Sequence, residues 1–532
     1  MPKQRVLRAC AGVAALAVVA IGLGLVLVES DPAQRAAAGE HAHGAQPHAM
    51  GPPRTIVMVV FDELPLTSLL GPDGRIDASR YPAFAGLARK ATWFRGATAV
   101  HDSTALAVPA MLDGRYPRAG LRSDVYSHPA NLFTLLAHDY ELHVSEEATG
   151  LCPTSLCVPT PGTTLSHLSH GKVERFRRFV GAVRETRRPA LWFKHVLLPH
   201  VPWQYYPSGT SYRRFAPEPI PGLNDVIGFG APWLVKVSYQ RHLLQLGLAD
   251  RLLGELVARL RRLGLYEDAL VVVAADHGIG FHVGEERRTV TPRNVQDLAP
   301  VPLIVKLPGQ ERGQVVDRHV ETIDVLPTLL ELARAPLPER LDGVSLLRRA
   351  SGQLRRATIF HRVGTELNTV GGDYSFGVRE LKRRRDAAVR RKTAWFGSGG
   401  GTDPSSLYRI GPYAELIGRR AASVTRLAGQ PDRPTARIDQ APDLRNVDPE
   451  SGFVPGEITG QIPGGDEGGG RRIALVLNGT IVATGLTFSL EGSPAESFEL
   501  IVPERAFRRG RNDARIFEIV ARGGRPALRP LD

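Results

Sequence analysis

Two uninterrupted apolar runs, Thr55–Phe61 (TIVMVVF) and Leu270–Ala275 (LVVVAA), set the pattern of the chain. Runs of this length without alternation predict strands buried on both faces of a parallel sheet covered by helices. Each runs straight into polar chemistry, Asp62-Glu63 after the first and Asp276-His277-Gly278 after the second. A third mostly apolar run, Ala190–Leu198, is interrupted by Lys194 and His195 and followed by a Pro- and aromatic-rich loop carrying His200, Pro202 and Trp203. Between the second and third runs, Leu243, Leu246, Leu253, Leu256, Val257 and Leu260 recur at helical spacing, which predicts an amphipathic helix over Val237–Leu265. That order is a strand–helix–strand crossover. Val301–Lys306 reads as a further strand and Val325–Ala333 as a helix, so an α/β sandwich is expected over residues 54–346.

In open α/β sheets, ligands bind beyond the carboxyl ends of the strands. Asp62, Glu63, Asp276 and His277 all stand at such ends. A buried carboxylate is costly unless it is paired or bound to metal, and adjacent Asp and His suit a divalent cation. Asp-His-Gly is also ordinary turn chemistry. The stretch ATAVHDSTALAVPAMLDGRYP (Ala97–Pro117) adds a hydroxyl. Asp102, Ser103 or Thr104 fits the start of a helix that turns Leu106, Ala107, Ala110, Met111 and Leu112 inward, with Pro109 delaying or bending it. Such a hydroxyl is either a simple cap or a nucleophile whose oxyanion is stabilised by metal and helix dipole.

Composition changes the picture mainly through charge and export. The 532 residues suffice for about three domains, and 43% hydrophobic with 23% charged residues is globular. The net charge of +13 suits an anionic lipid surface or envelope polymer, and no nucleic-acid module is legible. Residues 9–28 (Ala9–Val28) carry no charge and follow Lys3, Arg5 and Arg8. This predicts a single transmembrane anchor, with residues 1–8 cytoplasmic and the catalytic body outside the cell membrane. A signal peptide cleaved near Ala36-Ala37-Ala38 is the rival reading, and it exports the chain too. Residues 29–53 form a tether whose His41, His43 and His48 read as solvated. In an exported chain Cys152 and Cys157 are expected to form a local disulfide, with Cys10 a filler in the apolar segment. Residues 347–455 form an accessory region in which basic LKRRRDAAVRRK (Leu381–Lys392) reads as a solvated helical face. Residues 456–532 hold short strands, with Asn478-Gly479 marking a tight hairpin, and are expected to form a small β-sandwich.

Residues 54–346 resemble the sulfatase-like branch of the alkaline phosphatase superfamily. Six segments in the family's order carry the resemblance: the strand ending Asp62-Glu63, STALAVPAMLDGRYP, Pro199-His200-Val201-Pro202, Asp276-His277-Gly278, Asp324-Val325-Leu326-Pro327-Thr328 and Asp342-Gly343-Val344-Ser345-Leu346. The resemblance implies a three-layer alkaline-phosphatase-like sandwich with a mostly parallel sheet. It also implies one divalent ion (Mn, Zn, Ca or Mg) held by Asp62, Thr104, Asp276 and His277, with Glu63 an additional candidate. Thr104 falls at the nucleophile position. It cannot become the formylglycine of true sulfatases, and no Arg follows at their spacing, so phosphate esters of the envelope are expected ahead of sulfate esters. His200 is expected to contact the transferring group, with His195, Lys306 and His282 as further substrate-binding candidates. The competing expectation from another class is a catalytically silent, membrane-tethered envelope-binding protein.

Overall fold

The computed structural model describes residues 51–158, 171–214, 231–348, 356–363, 369–397, 404–429, 435–463, 470–489 and 495–531. The Ala9–Val28 segment and most of the tether lie outside them. Among the described residues, no helix is long and apolar enough to cross a membrane.

Seven strands form the central sheet: β1 (Thr55–Asp62), β2 (Thr92–Thr98), β3 (Glu141–Ser145), β4 (Ala190–Pro199), β5 (Leu270–Ala275), β6 (Leu303–Lys306) and β7 (Gln314–Glu321). Their order is β3-β4-β1-β5-β6-β2-β7. Pairing is parallel except for β6, which runs antiparallel to both neighbours. β1 and β5 are buried along their whole length, as their unbroken apolar sequences require. The helices that flank the sheet include α1 (Thr104–Asp113), α2 (Lys172–Ala182), α3 (Pro232–Arg262) and α4 (Val325–Ala333). Val57, Val59 and Phe61 pack in one layer with residues of α2 and α3. Ile56, Met58 and Val60 pack in the opposite layer with residues of α1 and α4. The fold is therefore mixed α/β in three layers. Each such side chain contributes about 1.5–3 kcal/mol on burial, so the alternation pins the register of the central strand.

α3 begins five residues before the predicted Val237, because Pro232 occupies the first helical turn, where a missing N–H costs nothing. The antiparallel course of β6 corrects one expected site residue. Lys306 pairs with Val271 at the amino-terminal end of β5. Its ammonium donates to the carbonyls of Glu267 (2.7 Å) and Leu307 (3.1 Å), at the opposite edge of the sheet from Asp276.

Beneath β3 and β4 lies a buried ion pair. Lys194 Nζ donates to Glu147, and Arg175 Nη2 reaches the same carboxylate at 2.7 Å. Lys194 and Glu147 are almost wholly buried. Removing one partner of such a pair strands the other in low dielectric. Glu147→Gln is expected to lower unfolding stability by about 3 kcal/mol in urea denaturation.

After the sheet, β8 (Arg356–His361) and β9 (Gly372–Gly377) form a hairpin, followed by α5 (Val378–Phe396). The basic run was expected to be solvated, and the structure corrects this in part. Lys382, Arg383 and Arg390 are exposed, but Arg385 and Lys392 are buried. Lys392 Nζ donates to the carbonyls of Thr67 (2.9 Å), Ser68 (3.0 Å) and Leu70, which pins α5 to the body. A five-stranded and a four-stranded sheet follow. Ile473, Leu475 and Ile516 of one pack with Ile458, Phe498 and Leu500 of the other, and with Trp233 and Leu234 of α3. Asn478 (φ 52°) and Gly479 (φ 79°) turn the hairpin between Arg472–Leu477 and Thr480–Leu486. Positive φ at both positions matches the twist of the strands they join.

Candidate active site

β1, β4 and β5 lie side by side and bring Asp62, His195, His200, Asp276 and His277 to one end of the sheet. The register of β1 against β4 shifts between Phe61 and Asp62. Glu63 then adopts a left-handed conformation (φ 57°), which a side chain with a β-carbon takes only at a cost. Its N–H donates to Asp276 Oδ1 (3.2 Å), so the strained turn is fastened to the next strand. Gly278 is obligatory after His277, since a β-carbon there would lie 2.0 Å from the Asp297 carbonyl oxygen.

Thr104 opens α1, but its hydroxyl does not cap it. Ser103 is the N-cap residue and makes no side-chain cap bond. Thr104 Oγ1 instead lies 3.4 Å from each oxygen of Asp62 and 3.2 Å from His277 Nε2. His277 Nδ1 faces the Gly278 carbonyl at 2.8 Å. A carbonyl only accepts, so Nδ1 carries a proton and Nε2 is the ring nitrogen that faces Thr104. Asp102 does not cap the helix either. Its carboxylate accepts the N–H groups of Val290 (2.9 Å) and Arg362 (3.1 Å), tying the nucleophile loop to two distant segments.

Around this centre sit three buried carboxylates, Asp62, Glu63 and Asp276. Burial, then the Asp276 and Glu63 carboxylates beside it, push the Asp62 carboxyl well above its ordinary range. Burial raises Glu63 as well, but His200 and Arg288 outweigh it and hold its carboxyl well below the usual value. His200 Nε2 lies 3.5 Å from Glu63 Oε1, and Arg288 Nε lies 2.9 Å from it. Burial pushes His200 down to about 3 and lowers His195. The His200 loop is stapled in place. Lys172 Nζ and Gln245 Nε2 each donate to the His200 carbonyl at 2.8 Å, and the Val201 N–H donates to Glu63 Oε2 at 3.2 Å.

A divalent cation fits this donor set. Ligand atoms of Asp62, His195 and Asp276 lie within 4.8 Å of one another, as do those of Asp62, Glu63 and His200. Asp276 Oδ2 is fully buried and makes no hydrogen bond. Three carboxylates of like charge at one buried point call for a counter-charge. His195, expected to contact substrate, lies 3.6 Å from Asp62 Oδ2, among the candidate metal donors. One of the expected substrate residues stands apart: Lys306 is at the far edge of the sheet. His282 is paired with Asp297 at 2.5 Å. Lys172, Arg288 and Arg362 join the site from outside its motifs. The adjacent basic pair Arg287-Arg288 was visible in the chain, but nothing in its spacing pointed at Glu63. Cys152 and Cys157 form a disulfide in the loop after β3.

The fold and the site thus define a three-layer α/β protein with an acidic, hydroxyl-bearing centre at the carboxyl edge of its sheet. Residues 166–335 match the model of the Sulfatase family, and over that stretch the chain is sulfatase-like. Arylsulfatase K of Canis lupus familiaris is 36% identical over 99 residues, 18% of this chain and 18% of that protein. An endo-4-O-sulfatase of Bacteroides thetaiotaomicron is 25% identical over 179 residues, 32% of this chain and 35% of that protein. The chain therefore spans well under half the length of these relatives. Among solved structures, a 2-O GAG sulfatase has a TM-score of 0.46 and 15% identity, covering 65% of this chain and 89% of the other. A phosphonate monoester hydrolase from Silicibacter pomeroyi has a TM-score of 0.40 and 20% identity, covering 60% and 81%.

Proposed function

We propose that this chain is a metal-dependent hydrolase or group transferase of sulfate or phosphate esters, acting through Thr104. The observation that carries the reading is the Thr104 hydroxyl, which serves no helix cap and lies within 3.4 Å of both Asp62 oxygens and 3.2 Å from His277 Nε2. Asp62, Asp276, His277 and Thr104 would hold the cation, with Glu63 and His195 as flanking donors. When bound, the cation supplies Lewis acidity that lowers the pKa of a coordinated hydroxyl and neutralises developing charge. Thr104 Oγ1 forms a bond to the sulfur or phosphorus as the bond to the ester oxygen breaks. Asp62 is placed to take the hydroxyl proton. Water or an alcohol then attacks the ester on Thr104 and releases the side chain, which gives hydrolysis or transfer respectively. His200, held on its stapled loop, orients the transferring group.

Threonine has no route to the aldehyde used by formylglycine sulfatases, which favours phosphoryl over sulfuryl chemistry. The positive charge of the chain and the apolar Ala9–Val28 segment support a membrane-anchored enzyme working on an anionic envelope polymer or lipid. The purified full chain should be offered bis-(4-nitrophenyl) phosphate, 4-nitrophenyl phosphate and 4-nitrophenyl sulfate with each of Mn, Zn, Ca and Mg. Metal-dependent cleavage of the phosphodiester ahead of the sulfate is the expected outcome. Preference for the sulfate removes the phosphoryl assignment, and inertness toward all three leaves the silent binding protein.

A further inference from the structure

One cation beside the site takes no part in the scheme above. Arg362 follows β8, and strand pairing brings it to the nucleophile loop: His101 bridges to Phe360, the Asp102 N–H donates to the Phe360 carbonyl (3.2 Å), and the Arg362 N–H donates to Asp102 Oδ1 (3.1 Å). The residue is 2% exposed. Its guanidinium Nε and Nη2 are buried and have no hydrogen-bond partner among the described residues. A guanidinium cannot shed its charge in a protein. Burying one with unused donors is costly unless an anion completes it.

The neighbouring carboxylates are already engaged. Asp102 accepts the Val290 and Arg362 N–H groups, and Glu63 is held by Arg288 and His200. Asp102 takes the N–H groups of Val290 and Arg362 together, which brings the segment carrying Arg288 alongside Arg362. Two guanidiniums therefore converge beside the loop that presents Thr104. A fork of N–H donors that no carboxylate of the described residues receives matches the tetrahedral oxyanion of a sulfate or phosphate ester.

We infer that Arg362, with Arg288 beside it, binds the non-bridging anionic oxygens of the ester that reacts at Thr104. This deepens the function proposed above and rests on it for the identity of the reaction, though not for the anion site itself. Arg362 lies outside the family-matched residues 166–335, on a hairpin that follows the sheet. Anion recognition here is thus supplied by a segment that the match does not reach.

The test uses the full chain with its bound metal and titrates inorganic phosphate and inorganic sulfate by calorimetry. Arg362→Gln should weaken the tighter of the two anions about 10- to 100-fold, the loss of one charge-assisted hydrogen bond, since the glutamine amide can still donate the other. Arg362→Lys should recover part of that loss. Arg251→Gln, a substitution of a half-exposed arginine on α3, should leave binding unchanged. With an ester that turns over, Arg362→Gln should raise KM more than it lowers kcat. A tungstate soak of wild-type crystals provides a readout free of any variant, with an anomalous peak expected within hydrogen-bonding distance of the Arg362 guanidinium. Unchanged affinity in Arg362→Gln, absence of anion binding by the wild type, or a tungstate peak elsewhere would overturn the inference. If anions bind through Arg362 but no ester is cleaved, the proposed reaction fails and the anion site stands. If Thr104→Ala kills turnover while Arg362→Gln binds normally, the anion site alone fails.

Discussion

Thr104→Ala is expected to lower turnover of bis-(4-nitrophenyl) phosphate by at least about 10³-fold while leaving the fold intact. The two halves of this expectation have separate causes. Oγ1 contacts Asp62 and His277 and makes no cap bond, so its loss takes nothing from α1. Stability should therefore change by less than about 1 kcal/mol, the scale of one ordinary hydrogen bond. Chemistry, by contrast, loses the atom to which the transferring group bonds. Thr104→Ser keeps that atom and should retain measurable turnover. Mass spectrometry of wild-type protein quenched during turnover should find the added group on the peptide containing Thr104, and the alanine variant should carry none. Alanine turnover within tenfold of wild type would end the assignment of Thr104 as nucleophile, whatever the metal dependence.

How much of this was legible in the chain depends on whether a residue's role is set locally. β1 and β5 were readable because burial on both faces leaves a continuous apolar signature, and the acidic residues that follow can lie only at a strand end. The Asn478-Gly479 hairpin was readable for an equally local reason, two successive positive φ values. Lys306 was misplaced because strand direction is not a local property. The same apolar run serves a parallel or an antiparallel strand, and β6 is reversed. In α5, Arg385 and Lys392 looked like their solvated neighbours, since nothing in a basic helix marks the lysine that will find three carbonyls to cap. Arg288 and Arg362 reach the acidic centre from segments after the β5 strand and after the sheet. Only tertiary pairing of β8 with the nucleophile loop reveals the second of them.

Removing the metal is the other change with a large expected effect, and it acts on stability and activity in different ways for different variants. Wild-type protein treated with chelator should lose all esterase activity. At cation concentrations about 100-fold above the dissociation constant, the stabilisation forfeited is about 2.7 kcal/mol. In a body of about 300 residues or more that is a fall in Tm of about 3–4 °C. Asp62→Asn should lose comparable activity but respond differently to heat. It removes one of three mutually repelling buried carboxylates, so its melting temperature without metal should equal or exceed that of metal-free wild type. Chelator should then shift it little. Burial and the neighbouring carboxylates raise the Asp62 carboxyl in the metal-free fold, whereas the unfolded chain has an ordinary carboxyl of about 3.9. The native form therefore holds the extra proton. Its contribution to stability is complete below the unfolded value and is lost as pH rises through the native one. A bound cation displaces that proton, so the stability gap between metal-loaded and metal-free protein should widen as pH rises. Differential scanning calorimetry at several pH values, with and without chelator, measures that gap. A gap that narrows toward neutral pH, or an Asp62→Asn protein as chelator-sensitive as wild type, would mean that the cation binds elsewhere and that the buried carboxylates are balanced by Arg288 and Lys172 alone.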